Sequence, residues 1–174
     1  MLSSKEDCVF CSIVNGKANQ PIRLETNNLV IFDDHLPKAQ YHFQCVPKRH
    51  IKNAKHLTYE DIPLVVDMIN YGRSFVNQLQ LNPEDFLFGF HWPPFNSVHH
   101  LHMHILGPKQ HMSFNPMFDS RFYIFREVSL ITIIFLFMSF YNIFLNRPRN
   151  YWIVCKTQTL RNEVMLIKFR RHSV

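Results

Sequence analysis

The chain has 174 residues, enough for one domain with a proper core, and its 47% hydrophobic and 18% charged residues are ordinary for a globular protein. Its formal net charge of +6 comes entirely from residues 147–174, which carry seven basic residues and one acidic residue, whereas residues 1–146 are balanced. The charge therefore gives no reason to expect a nucleic-acid partner for the main domain.

Four cysteines occur, and two of them form the pair Cys8-x-x-Cys11. Residues 1–7 are polar, and no apolar segment typical of a secretion signal follows them. We therefore expect a cytoplasmic protein, with the nucleus as a second compartment. In that reducing environment the cysteine pair indicates metal binding, redox chemistry or simple packing more than a disulfide framework.

Up to residue 107 the sequence predicts strands, then one long helix, then a strand pair, preceded by a short apolar helix or turn. Thr58 can cap the long helix, and apolar side chains recur at helical spacing from Ile62 to Leu79. This order favours an α+β fold with an antiparallel sheet of about five strands and one long helix. The predicted strands span 22–25, 29–32, 42–46, 86–91 and the histidine-rich stretch 99–106.

Three histidines stand at alternating positions, His100, His102 and His104. Successive side chains of a strand point to opposite faces, so we expect one strand to present all three on one face. Imidazole suits nucleophilic, acid–base or metal chemistry near neutral pH. A solvated strand face and a metal site are the alternatives. His99 falls on the opposite face, where core or surface packing is expected, and His91 is a candidate substrate contact at the end of the preceding strand.

This histidine row, followed by two apolar residues, resembles the signature of the histidine triad (HIT) family of nucleotide hydrolases and transferases. The resemblance covers residues 7–110, which we interpret as a HIT domain of HIT-like fold. Five further segments carry the resemblance: Cys8-Val9-Phe10-Cys11, Phe32-Asp33-Asp34, His42-Phe43, Val46-Pro47-Lys48-Arg49-His50 and Gly89-Phe90-His91-Trp92-Pro93-Pro94-Phe95.

The resemblance implies a hydrolase that cleaves the P–N bond of adenosine 5′-monophosphoramidates through a nucleotidyl-histidine intermediate. Its partner is then an adenine or other purine nucleotide conjugate, and the chain is expected to form a homodimer. Two alternatives stay open. One is a dinucleoside polyphosphate hydrolase of the same fold, and the other is a non-catalytic module that binds nucleotide or zinc.

The same resemblance implies a role for each site residue. His102 matches the nucleophile, His104 a phosphate contact, His100 an orienting residue and His42 a further site histidine from the neighbouring strand. The expected nucleotide contacts, besides His102 and His104, are Asp34 and His35 in the loop that meets ribose and base, and Phe95, Asn96 and Ser97 in the loop leading into the triad.

A zinc site is a further implication. Some relatives bind zinc through a CxxC pair, the histidine after the proline-lysine turn and the first triad histidine. The matching positions are Cys8, Cys11, His50 and His100, a ligand set that suits tetrahedral zinc. The alternative is a pair of buried cysteines beside a surface histidine, and the expected catalysis requires no cofactor.

Residues 111–174 form an atypical C-terminal extension. Its residues 128–145 make an apolar stretch of 18 residues without a charge, for which we expect a helix. A membrane span needs about 20 apolar residues, so a membrane anchor and a buried hydrophobic helix are both open. An alternative transcript is a third explanation for this segment.

Overall fold

The computed structural model describes residues 8–92, 94–112 and 125–127. Two helices and six strands organise these residues, and the strands form one antiparallel sheet in the order β1-β2-β3-β5-β4-β6. The helices are α1 (Val9–Val14) and α2 (Ile62–Gln78), and the strands are β1 (Ile22–Glu25), β2 (Leu29–Asp33), β3 (Tyr41–Pro47), β4 (Leu87–His91), β5 (Met103–Gly107) and β6 (Phe125–Glu127).

Strand β2 is apolar on both faces because both faces are covered. Leu29 and Ile31 belong to the main core, which includes buried residues of α2, while Val30 and Phe32 pack with buried residues of α1 on the other side. The continuous apolar run is thus the expected pattern for a strand between two layers. The α1 side also approaches the histidines, since the ring of Phe10 lies 5.1 Å from that of His102.

Helix α2 begins where its capping residues predict. Thr58 and Asp61 form a capping box around one tight turn, and the α-helix follows from Ile62. It ends at Gln78, next to Leu79, the last residue of the apolar pattern. Gln80 adopts a left-handed conformation with φ of 60°, which turns the chain back toward the sheet.

The prediction that one strand carries all three triad histidines is wrong. Strand β5 begins at Met103, so His100 and His102 precede it. The antiparallel ladder with β3 stops at the pair Cys45–Met103, close to Pro47, which has no N–H to donate. The carbonyl of Pro47 instead faces His100 Nε2 at 2.9 Å, and the imidazoles converge without lying on a single strand.

His99 is exposed, so the surface alternative holds for this residue. The sixth strand, β6, lies beyond residue 110 and pairs with β4, so the sheet continues into the C-terminal extension. Within the described part of the chain, no helix is long and apolar enough to cross a membrane. The apolar stretch 128–145 lies outside the described residues.

Candidate active site

His102 is held in one tautomer by the backbone of its own segment. Its Nδ1 lies 2.6 Å from the carbonyl oxygen of His100, and a carbonyl oxygen only accepts, so Nδ1 carries the hydrogen. The Nε2 atom therefore keeps its lone pair. Burial lowers the pKa of His102 to about 4, which leaves the ring neutral at physiological pH. A buried, neutral imidazole with a fixed lone pair can act as a nucleophile.

His104 is oriented by a chain of hydrogen bonds through β3. The backbone N–H of Lys38 donates to His42 Nδ1 over 3.2 Å, so His42 carries its hydrogen on Nε2. That Nε2 lies 2.9 Å from His104 Nδ1 and donates to it. His104 consequently carries its own hydrogen on Nε2, as a donor beside His102, whose ring centroid is 4.9 Å away. Burial lowers the pKa of both His42 and His104.

The carboxylate of Asp34 lies beside this histidine pair. Its Oδ2 accepts from Gln44 Nε2 over 2.7 Å and is 3.3 Å from His42 Nε2, and its Oδ1 accepts from the backbone N–H of Leu36. His35, by contrast, has an exposed side chain. The sequence interpretation did not include Gln44. Its spacing of two from His42 on a strand is the signal that could have placed it on the same face.

The loop before the triad forms one wall of a small open pocket. Asn96 is buried in this loop, whereas Phe95 and Ser97 are exposed. His91 and His102 also line the pocket. The structure thus brings His91 to the site, where its ring centroid lies 4.5 Å from that of His104.

Cys8, Cys11, His50 and His100 converge in a second cluster behind the triad. Both sulfur atoms lie 3.5 Å from His100 Nδ1, and Cys11 Sγ lies 3.2 Å from His50 Nδ1. All four potential ligand atoms are within 4.8 Å of one another. His100 Nε2 donates to the carbonyl of Pro47, so Nδ1 presents its lone pair to the sulfur atoms. The side chain of His100 therefore belongs to the cysteine cluster, while its backbone carbonyl accepts the hydrogen bond from His102.

Comparison with known proteins agrees with this geometry. Residues 7–117 match the family model described as scavenger mRNA decapping enzyme C-term binding. The chain is 36% identical over 109 residues to the adenosine 5′-monophosphoramidase HINT3 of Xenopus tropicalis, a match that covers 62% of this chain and 71% of that protein. This chain belongs to the histidine triad family.

Other members of the histidine triad family extend the comparison. The bifunctional adenosine 5′-phosphosulfate phosphorylase/adenylylsulfatase HINT4 of Arabidopsis thaliana is 36% identical over 106 residues, which cover 60% of this chain and 72% of that protein. A HIT family hydrolase from Clostridium thermocellum superposes with a TM-score of 0.56 at 25% identity and covers 60% of this chain and 92% of its own. This structure confirms the predicted HIT-like fold.

Proposed function

We propose that this histidine triad protein is a hydrolase that cleaves the P–N bond of adenosine 5′-monophosphoramidates. The observation that carries the proposal is the tautomer of His102, whose Nδ1–H donates to the His100 carbonyl and whose Nε2 is left as the nucleophile. The activity in the names of the matched HINT3 relatives supports this substrate class.

In the first step, the lone pair of His102 Nε2 forms a bond to the α-phosphorus. The P–N bond to the leaving group breaks, and its electron pair goes to the leaving nitrogen, which takes a proton from solvent and departs as an amine. The ring now carries a positive charge, so its Nδ1–H becomes a stronger donor to the His100 carbonyl. This bond therefore stabilises the nucleotidyl-histidine more than the free enzyme.

In the second step, a water oxygen attacks the phosphorus and the bond to Nε2 breaks. The electron pair returns to the ring, the water proton goes to solvent, and AMP leaves. We assign to His104 the donation of its Nε2–H to a phosphate oxygen in both steps, because negative charge accumulates there. His42 acts through His104 by holding its tautomer.

The remaining nucleotide contacts stay predictions. Asp34 and His35 are assigned to ribose and base, and Phe95, Asn96 and Ser97 to the substrate side of the pre-triad loop. The carboxylate of Asp34 already accepts from Gln44 and Leu36, so a ribose hydroxyl would share its oxygens. Phe95 and Ser97 are exposed and therefore accessible to a conjugate.

A second candidate function is cleavage of a nucleotidyl bond to oxygen, as in dinucleoside polyphosphates. The observation that favours it is the matched HINT4 relative, whose name describes reactions of adenosine 5′-phosphosulfate. The same nucleophile serves both reactions, since only the leaving group differs. A non-catalytic nucleotide- or zinc-binding module is the remaining alternative.

The deciding experiment compares turnover of an AMP–lysine amidate with that of diadenosine tetraphosphate by the purified full chain. We expect the amidate to be the better substrate by kcat/KM, and His102→Ala to abolish its hydrolysis. Preference for the dinucleotide would favour the second function. AMP binding without turnover of either substrate would favour the module.

We also propose that Cys8, Cys11, His50 and His100 hold a zinc ion. Tetrahedral zinc with two sulfur and two nitrogen ligands needs ligand separations of about 3.3–3.8 Å. The sulfur–nitrogen distances of 3.2 Å and 3.5 Å lie near the short end of that range, and all four potential ligand atoms lie within 4.8 Å of one another. The carbonyl of Pro47 fixes the His100 tautomer that such a ligand needs. When bound, the ion would tie α1 to the triad segment as a structural element.

Elemental analysis of the purified full chain tests the zinc proposal. We expect one zinc ion per chain, and its loss in the double variant Cys8→Ser/Cys11→Ser. A wild-type chain that takes up no zinc after incubation with the metal would exclude the site. The homodimer, the cytoplasmic and nuclear location and the membrane alternative for residues 128–145 stay predictions.

A further inference from the structure

The side-chain amide of Asn96 is fixed in one orientation. Its Nδ2 lies 3.2 Å from the carbonyl oxygen of Val98 and 3.2 Å from His99 Nδ1. A carbonyl oxygen only accepts hydrogen bonds, so the atom facing Val98 must be the NH₂ group. The position of Oδ1 is therefore determined as well.

The Oδ1 atom of Asn96 is a buried acceptor without a hydrogen-bond partner in the described part of the chain. Asn96 is only 9% exposed, so bulk water does not satisfy this oxygen freely. Buried polar atoms are nearly always paired, and an exception requires an explanation. A group supplied by a bound molecule would provide one.

Asn96 and the nucleophile His102 line the same pocket. Asp34 and His35, which are assigned to ribose and base, do not line it, and neither do His42 and His104. Of the expected nucleotide contacts, only His102 and Asn96 line this pocket. Asn96 is thus the residue of the pre-triad loop that shares a pocket with the nucleophile, and the group displaced by that nucleophile is the part of the substrate that we assign to it.

We propose that Asn96 is a specificity-determining residue whose Oδ1 accepts a hydrogen bond from the leaving nitrogen. This inference rests on the proposed phosphoramidase function. The nitrogen of a primary or secondary amidate carries an N–H and can donate to Oδ1. It still carries N–H groups after it takes the electron pair of the P–N bond and a proton from solvent.

The bridging oxygen of an anhydride or ester has no hydrogen to donate. It would bring a second acceptor against Asn96 Oδ1 and leave both atoms without a donor. Such a contact between two acceptors strongly disfavours the P–O substrate, because the buried oxygen of Asn96 then stays without a donor. Asn96 thereby favours P–N over P–O substrates, although the same nucleophile can attack both.

The test uses two isomeric AMP amidates, the N-butyl and the N-methyl-N-propyl compounds, which differ in whether the leaving nitrogen carries a hydrogen. For each enzyme we measure the ratio of kcat/KM for the N–H amidate to that for the tertiary amidate. Intrinsic reactivity is the same for every enzyme variant, so a change in this ratio reports the N–H contact. Loss of one hydrogen bond to a buried acceptor should lower the ratio about tenfold in Asn96→Ala.

Asn96→Gln is the matched control, because its amide keeps an NH₂ group that can donate to the Val98 carbonyl and an oxygen that can accept the N–H, and we expect it to keep more of the wild-type ratio than Asn96→Ala. It also carries the test if Asn96→Ala does not fold. An equal loss on both amidates in Asn96→Ala, or complete loss of the preference in Asn96→Gln, would overturn the inference while amidate hydrolysis by the wild type still supports the phosphoramidase. Failure of the wild type to hydrolyse either amidate would instead overturn the proposed function.

Discussion

A different hydrogen-bond partner fixes the tautomer of each triad histidine, and the tautomer determines which ring nitrogen donates and which accepts. The His100 carbonyl leaves His102 a lone pair on Nε2, and the Pro47 carbonyl leaves His100 a lone pair on Nδ1. His42 leaves His104 an N–H on Nε2. Three identical side chains thus become a nucleophile, a potential metal ligand and a donor.

The relay through His42 predicts a difference between two variants. Glutamine at position 42 can accept from the Lys38 N–H and donate to His104, whereas leucine can do neither. We expect His42→Leu to lower kcat about ten- to a hundredfold, and His42→Gln to retain more activity than His42→Leu. Steady-state kinetics on an AMP amidate measure this, and equal losses in both variants would show that His42 does not act through hydrogen bonding.

The sequence predicts which residues meet in the site but not how they are bonded. The spacing of His100, His102 and His104, together with the family resemblance, was enough to name the triad and His42. The tautomers depend on the carbonyl groups of His100 and Pro47, and every residue carries a carbonyl group. No residue type therefore signals which of them will be an acceptor.

The sheet and the two helices illustrate what periodicity can and cannot predict. Strand β2 and helix α2 are recognisable because their apolar patterns match the layers that cover them. The start of β5 at Met103 was missed, because alternation predicts an extended chain and not hydrogen-bond pairing. Pairing between β3 and β5 stops at Cys45–Met103, close to Pro47 on the partner strand.

Alanine substitution at two glycines, one in β5 and one packed against it, is expected to lower the free energy of unfolding by different amounts. A Cβ at Gly107 would lie 2.9 Å from the Asp85 carbonyl oxygen and from the Phe86 ring, whereas a Cβ at Gly72 in α2 would meet the movable end of Ile105. We expect Gly107→Ala to lower the free energy of unfolding by about 1–3 kcal/mol.

Gly72→Ala is the control for this comparison. Alanine favours helix formation, so this variant should stay within about 1 kcal/mol of wild type. Urea denaturation measures both variants. Equal effects would mean that the backbone around Gly107 relaxes easily.

The whole molecule buries several histidines in neutral form. Burial lowers the pKa of His42 from 6.5 to about 4 and holds that of His104 well below 6.5. Well above pH 6.5 the folded and unfolded states are both neutral at these positions, so neither residue makes stability depend on pH. Below pH 6.5 the unfolded chain binds protons that the folded chain does not, so stability is lost as the pH falls toward 4.

We therefore predict that the free energy of unfolding declines between pH 7 and pH 4.5. His42 alone should account for about 2 kcal/mol of the loss. Urea denaturation at several pH values measures the decline, and His42→Asn should reduce it. A pH-independent stability over this range would contradict the burial of neutral histidines.

The central claim is that His102 forms a covalent bond to the nucleotide, and mass spectrometry tests it most directly. The full chain is incubated briefly with an AMP amidate, quenched without acid and digested. The account predicts an AMP adduct on His102 that is absent from His102→Asn. Hydrolysis by His102→Asn at the wild-type rate, or an adduct on another residue, would contradict it.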